Sequence, residues 1–158
     1  MSLSKFREFL DSHNVKYLVL SHSVAYTAQG VAALVHVSGK KMAKTVIVKI
    51  DGALAMALVP ASLHVDLDLL RSITGGAVDL ATEQEFKDAF SDCETGAMPP
   101  FGNLYDMPVY ADTSLAAQDE ITFTAGTHRE LVRMAWADLA RLVDPQVVNL
   151  VHRTVVAA

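Results

Sequence analysis

The sequence is short of the residues that hold many small proteins together by covalent or metal links. It has one cysteine, Cys93, in 158 residues. A disulfide within the chain is excluded, and so is a metal site built on several thiolates. A lone cysteine is either a small packed apolar residue or a nucleophile, and the scarcity fits a reducing, cytoplasmic compartment. The six histidines, at positions 13, 22, 36, 64, 128 and 152, are scattered. None makes a metal-binding spacing, and no His-Glu-x-x-His occurs. A long apolar run is missing too. Residues 53–63 are broken by Pro60 and are too short to span a bilayer. The N-terminal MSLSKFREFLDSHN is charged and amphipathic, without the apolar centre of a secretory signal. Basic excess is also absent: 13 Lys and Arg stand against 18 Asp and Glu, a net charge of −5. That excludes a general nucleic-acid binder, DNA included, and leaves room only for a local RNA contact. There is no Gly-x-Ser-x-Gly elbow, phosphate-binding Gly-Lys-Ser/Thr loop or dinucleotide fingerprint.

What is present describes an ordinary globular chain, 51% hydrophobic and 20% charged. The length suits one domain over residues 1–158. Leu3, Phe6 and Leu10 predict a first helix over 3–13, and Tyr17 to Leu20 a short strand. Thr27 caps a second helix with Val31, Ala32, Leu34 and Val35 inward. Residues 44–50 and 53–59 read as strands joined by Asp51-Gly52, the residue pair of a tight hairpin. In the second strand Ala53, Ala55 and Ala57 share a face that must accept a packed helix or a ligand. Asp66 opens a helix that ends at Gly75-Gly76. Residues 77–81 read as a strand, and Thr82 with Glu85 forms a capping box for a helix to about Phe90. Residues 92–106 form a rigid loop. Residues 107–111 and 120–124 read as strands, 130–134 as strand or helix, and 137–143 as a helix, with an irregular tail from Pro145. The mixture predicts an α+β fold on a largely antiparallel or mixed sheet.

Three features can carry chemistry. Lys40, Lys41 and Lys49 read as a solvated strand end. Lys44 falls in phase with Val46, Val48 and Ile50, so it either snorkels outward or lines a pocket, where it would hold a phosphate or carboxylate. In Gly96-Ala97-Met98-Pro99-Pro100-Phe101-Gly102, two glycines open unusual backbone conformations and two prolines stiffen the path. Such a loop is a structural turn, or it presents backbone N–H groups to an anion or a developing oxyanion. His128, after Thr124-Ala125-Gly126-Thr127, is an exposed loop histidine or one that donates to a substrate carbonyl or positions a water.

The order of these features resembles the YbaK / prolyl-tRNA synthetase editing-domain family. The matching residues are Lys44-Thr45-Val46-Ile47-Val48, Gly96 to Gly102, and Ala125-Gly126-Thr127-His128, with Tyr26-Thr27-Ala28-Gln29 and Leu80-Ala81-Thr82-Glu83 also fitting. The resemblance spans about residues 15–143. It implies a curved, barrel-like mixed sheet flanked by helices, and hydrolysis of the ester between a wrong amino acid and the tRNA 3′ end. It implies no metal or organic cofactor. Lys44 would hold the terminal nucleotide or its phosphate, the Gly96–Pro100 backbone would bracket the aminoacyl carbonyl, and His128 would define the amino-acid pocket. Ala97, Met98 and Phe101 would be its apolar walls. Thr45, Pro99, Pro100, Gly102, Gly126 and Thr127 would complete the substrate site, with Tyr26 as a further contact. With no synthetase body in the chain, the enzyme would act in trans, alone or with a synthetase partner. The Pro99-Pro100-Phe101-Gly102 form departs from the Ser-Pro-Leu-Gly type of cysteinyl-specific members, which favours Ala or Ser/Thr over Cys. Two other readings stay open: a non-catalytic tRNA- or synthetase-binding module, and a hydrolase of another small acyl ester.

Overall fold

The computed structural model describes residues 3–21 and 41–152. The helix expected after Thr27, and Tyr26 with it, lies outside those residues. Helix α1, Leu3–Ser12, turns Phe6 and Leu10 inward, and β1, Tyr17–Ser21, follows. The hairpin forms as its turn residues dictate. Strands β2, Ala43–Ile50, and β3, Ala53–Pro60, pair antiparallel from Ala43↔Pro60 to Ile50↔Ala53. Asp51 and Gly52 both take positive φ, as a tight turn of this kind requires.

Helix α2, Leu67–Thr74, starts at Asp66, whose side chain accepts from the Asp68 and Leu69 N–H groups. Its Leu70 joins Val48, Ala55, Ala57 and Val59 in one buried cluster. The alanine face therefore receives a helix, because alanines let it approach closely. After β4, Val78–Leu80, the Thr82–Glu85 capping box opens α3, Glu83–Phe86. Lys49 is paired with Glu85 rather than merely solvated. That contact, with the Thr82 backbone N–H, pulls the Glu85 carboxyl down to about 2.

Helix α3 stops short of the expected Phe90. Beyond it the chain makes tight turns, with Phe90 N–H on Lys87 O and Cys93 N–H on Phe90 O. These swing Phe90 into a cluster with Ile47, Met56, Met98 and Met107. Strand β5, Val109–Asp112, runs parallel to β3. A short helix that the sequence pattern did not indicate, α4, Thr113–Ala116, is capped by Asp112. Strand β6, Glu120–Thr124, pairs antiparallel with β7, Glu130–Ala135, so the ambiguous 130–134 segment is strand. Helix α5, Trp136–Val143, follows, and the tail contributes β8, Gln146–Val148.

The α+β class is as expected, and among the described residues the sheets do not close into a barrel. Among the described residues there are two sheets, ordered β1-β7-β6 and β4-β2-β3-β5-β8. They meet at one parallel bridge, Met42↔Thr122. The edge strands of the larger sheet, β4 and β8, have three residues each. Between them Phe6, Phe101 and Phe123 form an aromatic centre, with Phe6 and Phe101 edge to face at 4.8 Å between ring centroids.

Candidate active site

The β6–β7 turn and the Glu94–Met98 segment are fastened to each other by their backbones. Glu94 N–H donates to Gly126 O at 2.8 Å, and Gly126 N–H returns a bond to Ala97 O at 2.8 Å. Within the loop, Ala97 N–H donates to Glu94 O at 3.0 Å. Two side chains lock the pair. The Glu94 carboxylate accepts the His128 N–H at 3.0 Å, and the His128 ring nitrogen Nε2 lies 2.6 Å from Thr95 O. A carbonyl only accepts, so Nε2 carries the hydrogen of this bond. Thr95 is itself tied to α3 through its hydroxyl on Glu83, at 2.9 Å.

His128 is therefore not an exposed loop residue; it is 6% exposed. Its ring lies against Gly96, where an added Cβ would sit 3.4 Å from Cε1. Gly96 has φ +83°, a conformation other residues adopt only with strain. Gly96 is exposed, and its N–H donates to no acceptor among the described residues.

The rest of the loop serves the core. Residues 97–102 are all buried. Met98 enters the Ile47–Met56–Phe90 cluster, and Phe101 packs with Phe6 and Phe123. Side chains expected to be pocket walls thus fill the interior, because β2, β3 and α1 offer apolar surface to both sides of the loop. What the loop offers a ligand is backbone. Gly102 is needed for packing, since a Cβ there would meet Met107 O at 2.3 Å.

A cavity of about 760 Å³ opens beside this junction, lined by Cys93 to Thr95 on one side and Thr127 to Glu130 on the other. The Thr127 Oγ1 is buried and has no hydrogen-bond partner among the described residues. Cys93 is half-buried, its sulfur 3.4 Å from the Tyr105 hydroxyl. Burial, then this contact, pushes the Tyr105 phenol pKa up, so it stays protonated.

Gly96, Gly126, Thr127 and His128 are thus brought together. Lys44 does not line the cavity. It stands on β2, opposite Val59 and in phase with Val46. The parallel Met42↔Thr122 bridge puts it on the face that carries Thr124, the last β6 residue before the turn. Burial alone lowers its pKa. Thr45, opposite Leu58, faces the other way. The sequence did not single out Glu94, Thr95 and Arg129, which also line the cavity. The signal was adjacency: two directly precede Gly96, and one directly follows His128.

A backbone N–H beside a fixed imidazole can stabilise the negative charge that develops on an acyl oxygen. The profile of the aminoacyl-tRNA editing domain matches residues 22–142. A multifunctional Ser/Thr-tRNA deacylase, ProXp-y, of Escherichia coli strain K12 is 29% identical over 89% of this chain and 87% of its own. A proline–tRNA ligase of Bacillus mycoides is 28% identical over 55% of this chain, which corresponds to 15% of that enzyme. A solved structure provisionally described as a trans-editing enzyme for prolyl-tRNA synthetase superposes with a TM-score of 0.81 at 25% identity, over 97% of this chain and 99% of that one. A second, of a hypothetical protein, shares the fold with a TM-score of 0.84 at 19% identity, over 94% and 99%. The profile covers most of the chain, and the relative matches over most of both sequences: this chain belongs to the aminoacyl-tRNA editing domain family, hydrolases of the ester that joins an amino acid to tRNA.

Proposed function

We propose that the chain edits in trans, removing serine or threonine from tRNA that carries it wrongly. The observation that carries the substrate reading is the buried, unpartnered hydroxyl of Thr127, a residue that lines the cavity. A buried hydroxyl without a partner is costly by about 1–3 kcal/mol. A seryl or threonyl hydroxyl supplies that partner, and an alanyl methyl does not. The likeness to a Ser/Thr-tRNA deacylase over most of both chains supports the same choice. Editing itself is needed because a synthetase separates side chains one methylene apart by only about 1–3 kcal/mol, so a second sieve must act.

In the reaction, water attacks the ester carbonyl carbon and the carbonyl oxygen becomes negative. Gly96 N–H donates to that oxygen. The bond to the ribose oxygen then breaks, and that oxygen takes up the proton the water released. His128 holds the Gly96 peptide in place and borders the amino-acid pocket. Lys44 receives the terminal nucleotide as a point charge. A net charge of −5 leaves little general RNA affinity, so a synthetase partner delivers the tRNA.

The test is a panel of mischarged tRNAs with the wild-type chain and Lys44→Ala. Ser- and Thr-tRNA should be cleaved well above the spontaneous rate, Ala-tRNA more slowly, and the variant should lose most of the activity. If no ester is cleaved faster than in buffer, with or without a synthetase present, the chain is a binding module. If simple acyl esters are cleaved as fast as charged tRNA, it is a general esterase.

A further inference from the structure

Within the lining of the candidate cavity there is one cation, Arg129, and it has no role in the chemistry above. It is exposed, directly follows His128, and stands one residue before β7 begins. The cavity also carries the carboxylates of Glu94 and Glu130. Glu94 is already engaged with the His128 N–H. No ion pair involving Arg129 occurs among the described residues. The guanidinium is thus available at the mouth of a site whose substrate is a polyanion, in a chain of net charge −5. Lys44, the other cation of the candidate site, is outside this lining.

We infer that Arg129 is a second anchor for the RNA end, holding a backbone phosphate next to the terminal adenosine. A guanidinium offers paired N–H donors that match two phosphate oxygens, which a lysine cannot do. Two cations at separate points fix the direction in which the 3′ end enters. One cation fixes only its position. The acidic neighbours sharpen the choice, because they repel a misaligned phosphate while Arg129 accepts the aligned one.

This inference rests on the deacylase reading, and the experiment separates the two. Deacylation of Ser-tRNA is followed with wild type, Arg129→Ala and Arg129→Lys across a range of salt concentrations. Binding of a fluorescent uncharged CCA-ended RNA is measured in parallel. Arg129→Ala should raise KM about tenfold at low salt, a charge-assisted contact being worth about 1.5–3 kcal/mol. Its kcat should stay within about twofold, since the contact is uniform binding. The slope of log KM against log salt should shrink by about 0.7, the value for one phosphate on a single strand. Arg129→Lys should recover the slope and only part of the affinity. Melting should not change, because the side chain is exposed. Unchanged KM and salt slope in Arg129→Ala overturn the anchor while leaving the deacylase standing. An inactive wild type that still binds the RNA, with binding weakened by Arg129→Ala, overturns the deacylase and keeps the phosphate contact. Binding unaffected by the substitution overturns the anchor in either case.

Discussion

His128 is bonded through ring Nε2 to the carbonyl oxygen of Thr95, at 2.6 Å, and so the histidine holds the residue that precedes Gly96. In the proposed mechanism this contact fixes the Thr95–Gly96 peptide, whose N–H would meet the substrate. His128→Ala frees that carbonyl and empties the space over Gly96. Stability should fall by about 1–2 kcal/mol in urea denaturation, and kcat by about 10- to 100-fold, as for a displaced oxyanion donor. His128→Gln keeps an N–H for Thr95 and should recover stability and part of kcat. Full activity in His128→Ala removes the residue from the site.

Gly96→Ala tests the backbone itself. The φ of +83° opposes any side chain, while the nearest atom, His128 Cε1 at 3.4 Å, allows a methyl group without collision. The cost should be strain of about 1–2 kcal/mol, with no cavity or clash. A peptide turned by that strain mis-aims its N–H, so single-turnover deacylation should slow by more than the stability loss alone explains. Equal rates in the two proteins refute the donor role.

Thr127→Val replaces an unpartnered buried hydroxyl by a methyl of similar size. The variant should be as stable as wild type or up to about 1 kcal/mol more so, since an unsatisfied polar group is removed. Selectivity should move the other way, with the preference for Ser-tRNA over Ala-tRNA falling about tenfold or more. Competition between the two charged tRNAs measures it. An unchanged ratio means that the hydroxyl does not read the amino acid.

Lys44 carries a pH signature. Burial holds its ammonium below the ordinary 10.5. Between the folded pKa and 10.5 the unfolded chain binds more protons than the folded one, so stability rises with pH across that window. Lys44→Met should abolish that rise and melt no lower than wild type at pH 7. The same variant should lose about tenfold or more in kcat/KM, the worth of one charge-assisted contact. In wild type, kcat/KM should decline as pH passes the lowered pKa, earlier than for an exposed lysine. Stability gained together with activity lost is the pattern of a residue kept for function.

Much of this was legible in the sequence, wherever a short-range rule decided the outcome. Asp51-Gly52 specified the hairpin, Asp66 and Thr82 specified two helix starts, and the order of the lysine strand, the glycine–proline loop and Gly126-Thr127-His128 specified the family. Each signal lies within a few residues, where turn chemistry, capping and alternation act. The tertiary structure decided what contacts distant in sequence control. Whether Met98 and Phe101 walled a pocket or filled the core depended on surfaces supplied by α1, β2 and β3. The burial of His128, and its hold on Thr95 33 residues away, followed from backbone bonds between Gly126 and the Glu94–Ala97 segment. A spacing pattern can name the residues of such a site, but only the packed chain fixes which of them share a wall, because that is a property of surfaces in contact.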